Sequence, residues 1–489
     1  MITFLISIVA LVLGYFIYGS WVDRKFGSDA NRKTPAITEN DGVDFIPMKN
    51  GKIFLIQFLN IAGLGPIFGA IAGALWGPVA FVWIVVGAIF AGGVHDYFSG
   101  MLSIRHKGAS IPEIVGQYLG SGIKNFMRFF AVILLILVGV VFVKGPASIL
   151  APISGIKVSI LVIAIFSYYF LATLIPVDKL IGKIYPVFGL TLLIMAIGIF
   201  LMILFNGLPV PDLTLGNLKN MHSNPSEYPV FPLLFITIAC GAISGFHSTQ
   251  SPLMARCLKN EQDGKKIFFG AMIAEGIVAL IWAAVAMSFF GGVKELGAVM
   301  EVEGQNAAWV VNEICNSLLG KIGGLLAIIG VVVAPISSGD TAFRSARLTI
   351  SDSFNLKQDK LVKRLLITIP LFAIGIALTN IDFGIVWRYF GWANQTLATI
   401  VLWTATVYML KMHKNFLFLL IPSVFMSFIV LSYILIAPEG FQLDKTIAYI
   451  LSIIGTIILT AIFFFSFSSH IKKQQRGDIK SNINKINSK

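Results

Sequence analysis

From residue 2 to residue 467 the chain is a succession of apolar runs, each close to the roughly 20 residues an α-helix needs to cross a bilayer. They fall at 2–20, 53–75, 78–102, 126–145, 157–175, 184–206, 230–252, 267–292, 322–343, 365–381, 387–410, 416–437 and 445–467. In hydrocarbon every backbone N–H and C=O must find a partner inside the protein, which leaves helices or a closed barrel. Barrel strands alternate polar and apolar residues, whereas 129–143 and 449–465 are apolar all round, so helices are expected. Composition agrees: 56% of residues are hydrophobic and only 12% charged, against about 25% charged in a soluble domain. Residues 1–20 lack the basic start and small-residue cleavage site of a signal peptide and read as the first span of the mature protein.

The net charge of +13 first suggests nucleic acid, but its placement excludes that class. Lys and Arg fall on alternate connections: 21–52, 103–125, 176–183, 256–266, 344–364, 411–415 and the tail 468–489. The opposite side keeps only Lys144, Lys157, Lys219, Lys294, Lys321, Arg388 and Lys445. The positive-inside rule then makes the basic side cytoplasmic, with the N-terminus outside and the C-terminus inside. The expected protein is a multi-pass component of a cell membrane. The basic tail is expected to be disordered and to lie against anionic lipid.

Two of these runs are interrupted. One reads Asn60-Ile-Ala-Gly63-Leu-Gly65-Pro66-Ile-Phe-Gly69, the other Cys240-Gly241-Ala-Ile-Ser244-Gly245-Phe-His247-Ser248-Thr249-Gln250-Ser251-Pro252. Gly and Pro stand there where an intact helix wants neither. Such breaks persist only against protein or a watery cavity, and a pair of them points to the binding site of a secondary transporter. With the first span set aside, each break opens a run of five spans. The odd spacing forces opposite orientations, as an inverted repeat requires. The expected organisation is an N-terminal helix and linker (1–52), a first repeat (53–206), a second inverted repeat (230–410), two peripheral helices (416–467) and the tail (468–489). The arrangement resembles the LeuT-type five-plus-five fold of the amino acid/polyamine/cation superfamily.

Several motifs in order along the chain resemble the carbon starvation protein A family of bacterial peptide and small-carboxylate transporters. They are Asp41-Gly-Val-Asp44-Phe45, the Ala62–Pro66 break, Phe90-Ala-Gly-Gly-Val-His95-Asp96, Arg105-His-Lys107-Gly-Ala-Ser110, Ala239–His247, Asp340-Thr341-Ala-Phe-Arg344-Ser-Ala-Arg347, and Phe390-Gly-Trp392-Ala-Asn394-Gln395-Thr-Leu-Ala398. The resemblance implies a transporter of peptides or of small acids such as pyruvate, and does not choose between them. This chain looks like a short member, without the extra C-terminal spans of longer relatives.

The candidate substrate contacts are Asn60, Gly63, Gly65 and Pro66 at the first break and Gly241, Ser244, Gly245, His247, Ser248 and Thr249 at the second. Freed carbonyls there would hold a cation, and a half-helix N-terminus would hold a substrate carboxylate. The alternative is close helix packing by small residues. For coupling, the buried carboxylates Asp96 and Glu275 are candidates, since acidic residues inside a membrane are rare and functional. His247 could carry a proton. Ser337, Ser338, Asp340 and Thr341 are the remaining candidates: the LeuT resemblance implies a hydroxyl-lined sodium site there, while Asp340 could instead pair with Arg344 one turn on. Asn394 and Gln395 read as helix-packing or gate residues.

The expected activity is import of short peptides by alternating access, coupled to protons. Pyruvate or another small carboxylate, and sodium, are the alternatives. A channel or a membrane sensor is the rival class. No cofactor, metal or enzymatic chemistry is expected: the three cysteines, Cys240, Cys257 and Cys315, lack metal-like spacing, and no Gly-x-x-x-x-Gly-Lys-Ser/Thr loop for ATP occurs.

Overall fold

The computed structural model describes residues 1–41, 45–174, 181–302, 305–354, 356, 361–467 and 469. The Gly42–Asp44 part of the first motif and the basic tail from 470 lie outside them. The described chain is all helix, as the apolar patterning requires. We number the helices α1 (Ile2–Phe26), α2 (Asn50–Ile61), α3 (Gly65–Trp76), α4 (Val79–Arg105), α5 (Ile111–Leu119), α6 (Ser121–Ser154), α7 (Val158–Leu174) and α8 (Ile181–Phe205). They continue with α9 (Phe235–Thr237), α10 (Gly245–Ala255), α11 (Glu261–Phe289), α12 (Val293–Met300), α13 (Ala307–Ala327), α14 (Ala334–Ser353), α15 (Leu361–Leu378), α16 (Phe383–Lys411), α17 (Leu417–Ile436) and α18 (Lys445–Ser466).

Among the described residues, eight helical stretches are long and apolar enough to cross a membrane, or nine with the bent pair α2–α3 counted as one span. The four other expected spans are occupied by α7, α9 with α10, α15 and α16, which fall outside that group.

Burial sorts the helices into centre and rim. The most apolar stretch of α11 is 83% buried and that of α4 72%, against 28% for α1 and 22% for α18. The rim helices turn large apolar side chains outward, among them Ile17 on α1 and Ile457 and Phe465 on α18. Such surface is stable only against lipid tails. The two central helices are those that carry Asp96 and Glu275, so both carboxylates are held away from lipid.

The alternation of charged loops appears in space. Segments 21–52, 103–125, 256–266 and 411–415 meet at one end. There Arg105 binds Glu261 and donates to the Gly27 carbonyl (2.9 Å), Arg32 approaches Glu261 (3.3 Å), and Lys414 donates to the Phe26 carbonyl. Amphipathic α5 is fastened at the same end. Partial burial pushes the Glu113 carboxyl up, but Lys124 and Arg128 outweigh it and hold it below the usual carboxylate range. At the opposite end the Met1 amine binds Asp212 (2.9 Å), and Arg388 binds Glu439.

Candidate functional site

The first break is three residues long. α2 ends at Ile61 and α3 starts at Gly65, and the two are bent by 53°. Pro66 stands in the first turn of α3, where its missing N–H and fixed φ suit a helix start. The unwound residues are therefore Ala62–Leu64, and Gly65 and Pro66 belong to the outgoing half-helix.

The second break runs from Ile238 to Ser244, with Gly241 at φ +91° and Ser244 extended. It too is shorter than expected. His247, Ser248, Thr249 and Gln250 lie on α10 and are helical, and Pro252 is within the same helix. Their hydroxyls bond back to their own helix: Ser248 to the Gly245 carbonyl (2.6 Å), Thr249 to Phe246 (2.7 Å) and Ser251 to His247 (3.0 Å).

The two breaks touch. A Cβ on Gly65 would overlap the Cβ and Sγ of Cys240, and Gly241 lies against Pro66 and Ala279. Gly65 is thus required by close approach, and Gly241 by a left-handed φ as well. Gln57 on α2 donates to Ser251 on α10 (3.3 Å), tying the two broken spans together below the breaks. Asn60, one turn on from Gln57, is buried with its Oδ1 free of hydrogen bonds.

Unwinding frees backbone groups, and neighbouring helices satisfy them. Asn394 on α16 accepts from the Phe246 amide (2.6 Å), an orphan donor at the start of α10, and from the Ser244 hydroxyl (3.1 Å). Gln395 donates to the Phe235 carbonyl (3.1 Å), and Trp83 on α4 to the Ile238 carbonyl (3.0 Å). Asn394 and Gln395 thus bond backbone groups on both sides of the second break. Trp83 escaped the sequence reading because one Trp in an apolar run carries no signal. Gln57 carried one, as a polar residue a turn before Asn60 on the same helix.

Beside the second break lies a cluster of titratable side chains. Asp96 bridges two histidines, with His95 Nδ1 at 2.7 Å and His247 Nδ1 at 2.8 Å. His247 Nε2 stands 3.4 Å from Glu275 Oε2. Neither Glu275 oxygen nor His247 Nε2 has a hydrogen-bond partner, and all four residues are fully buried. Cys240 completes the group: its Sγ, a ring nitrogen of His247 and a Glu275 oxygen lie within 4.8 Å of one another. Asp96 therefore faces histidines, while Arg105 is engaged with Glu261 and Gly27.

The remaining candidates form a separate group on α14, which packs chiefly on α6 and touches α2 only lightly. Asp340 is buried, 3.6 Å from Arg344, and Arg344 also donates to the Ala172 carbonyl (2.5 Å). Thr341 donates to the Ser338 carbonyl (2.8 Å). The Ser337 side chain lies outside the described ones.

Comparison with known proteins places this geometry in context. The family described as Carbon starvation protein CstA matches residues 1–151 and 143–322. An uncharacterized membrane protein of Haemophilus influenzae is 45% identical over 339 residues, 59% of this chain and 91% of that one. The peptide transporter CstA of Bacillus subtilis is 25% identical across 93% of this chain and 95% of its own length. The pyruvate/proton symporter BtsT of Escherichia coli is 24% identical, over 67% of this chain and 56% of that one. Among solved structures, a mutant manganese transporter of Eremococcus coleocola superposes with a TM-score of 0.51, covering 87% of this chain and 94% of that one at 12% identity. That likeness is one of fold.

Proposed function

The chain belongs to the carbon starvation protein CstA family, and from that premise we propose that it is a secondary transporter importing short peptides across the bacterial cell membrane, driven by protons. It is a multi-pass membrane protein, and its family and fold neighbours are transporters rather than enzymes. The observation that carries the reading is the contact between the two breaks, Gly65 on Cys240 and Gly241 on Pro66, at the buried centre of the helix bundle. Residues 53–206 and 230–410 then act as inverted halves. One rocks against the other about the breaks, opening the site in turn to the outside, where the N-terminus lies, and to the cytoplasm. Substrate is held at Asn60, Gly63 and the start of α3 on one half, and at the Gly241–Gly245 turn and the first residues of α10 on the other.

We assign proton coupling to Asp340. Its partner Arg344 sits at 3.6 Å, loose for an ion pair, and Oδ1 accepts no hydrogen bond. Asp96, by contrast, is committed to two histidines at short distance. Ser338 and Thr341 offer oxygens next to Asp340, which keeps sodium as the competing ion.

The test is uptake of labelled dipeptide and labelled pyruvate into proteoliposomes under imposed proton or sodium gradients. The expected result is dipeptide accumulation driven by the proton gradient, lost in Asp340→Asn while substrate binding persists. Pyruvate accumulation alone would move the substrate to the small carboxylates that the Escherichia coli relative's name carries. Accumulation of neither compound under either gradient would overturn the transport reading.

A further inference from the structure

We propose that Cys240, His247 and Glu275 form a binding site for a thiophilic divalent transition metal of the zinc class, with Asp96 as its outer support. The three residues come from three parts of the fold: the unwound second break, α10 and central α11. Their donor atoms already lie within 4.8 Å of one another. Zinc bonds of roughly 2.0–2.3 Å in a tetrahedron set ligand atoms a little over 3 Å apart. The 3.4 Å between His247 Nε2 and Glu275 Oε2 has that spacing.

Of the three ligands, Cys240 is hydrogen-bonded to Ser244 (3.5 Å) and Asn394 (3.6 Å), whereas the other two donor groups make no hydrogen bond. Glu275 Oε1 and Oε2 and His247 Nε2 are buried and make no hydrogen bond, their contact being the 3.4 Å approach of Nε2 to Oε2. A buried carboxylate in that condition is costly, and a bound cation removes the cost. Among the described residues no Lys or Arg forms an ion pair with Asp96 or Glu275; their charged contacts are His95 and His247.

The surroundings are those of a metal site rather than of a bare charge cluster. A metal-bound histidine characteristically gives its second ring N–H to a carboxylate, which fixes the tautomer. Asp96 is placed to do this for His247 at Nδ1 (2.8 Å), which turns Nε2 toward Glu275, and His95 secures the other Asp96 oxygen (2.7 Å). Asn394 Nδ2 lies 3.6 Å from the Cys240 sulfur, a donor suited to a thiolate. One sulfur, one nitrogen and one oxygen ligand favour zinc or cobalt over the hard cations calcium and magnesium, which take oxygen alone. Three protein ligands leave the fourth position to water or another small ligand.

Metal binding here neither requires nor excludes transport, so its test reads metal directly. The purified full-length chain, stripped with chelator and dialysed against Zn²⁺, is expected to retain one ion per chain by elemental analysis, with no competition from Ca²⁺ or Mg²⁺. Co²⁺ in its place should give a near-ultraviolet thiolate-to-cobalt band that Cys240→Ser abolishes. Glu275→Gln should weaken Zn²⁺ binding at least ~10-fold, and Asp96→Asn, acting through His247, by about 10–100-fold. His222→Ala, in a loop away from the cluster, should change nothing. Variants count only when they elute as a single species with an unchanged helical spectrum. Zn²⁺ retained equally by Cys240→Ser and Glu275→Gln, or no retention by the parent chain, overturns the proposal.

Discussion

Asn394 meets two demands with one side-chain amide: its oxygen caps the first free amide of α10 and takes the Ser244 hydroxyl, while its nitrogen faces the Cys240 sulfur. Gln395, the next residue, donates to the Phe235 carbonyl on α9, ahead of the break. In water these backbone groups would be solvated at little cost. In a membrane interior each needs a fixed partner, so the second break depends on α16 for its shape. Asn394→Ala is expected to destabilise the protein by about 0.5–2 kcal/mol, the usual range for losing a helix cap. It should appear as a lower thermal unfolding midpoint in detergent. Thr396→Ala is the control: that hydroxyl only bonds back to the Trp392 carbonyl of its own helix, and the midpoint should hold. Equal loss in both variants would mean that Asn394 matters for packing alone.

At the scale of elements, the breaks set the architecture, and Gly65 is where they meet. Gly65→Val would drive a branched side chain into Cys240. Overpacking of this kind costs typically 1–3 kcal/mol. The expected outcome is a folded protein with the breaks forced apart and uptake lost. A variant that transports normally would show that the contact is incidental. The same elements mark how far the sequence could be read. Apolar run length located most of the helices but not α5, α12 or most of α13, and the alternation of basic loops was enough to gather 21–52, 103–125, 256–266 and 411–415 at one end. Gly and Pro located both breaks but misjudged their lengths. Pro66 reads as a breaker from sequence, yet in a first turn it is neutral. The polar run His247–Gln250 reads as unwound chain, yet a helix sheathed by α2, α4 and α16 can bury polar side chains when they bond to its own carbonyls. The cluster of Asp96, Cys240, His247 and Glu275 was beyond sequence reasoning as a unit. Each residue was visible alone, but they come from separate elements, and only packing makes them neighbours.

For the molecule as a whole, polar fastenings sit at the two ends and the breaks at the centre. At one end Glu261, fully buried, gathers Arg105 and Arg32 and accepts from the Asp29 amide (3.2 Å). At the other, Met1, Asp212 and Val210 close the N-terminus onto the segment after α8. Between them Asn60 is 2% exposed, so in this conformation the centre is shut off from water. Alternating access requires that it open to each side in turn. The most direct measurement is the reaction of an Asn60→Cys variant, with Cys257 and Cys315 changed to Ser, with a membrane-impermeant thiol reagent in oriented vesicles. A parent carrying only Cys240 supplies the background. Asn60→Cys should react from the outside under one gradient and from the inside under the reverse, with substrate protecting it in both. Reaction from one side only under every condition, or from both sides at once as in an open pore, would contradict alternating access about the two breaks.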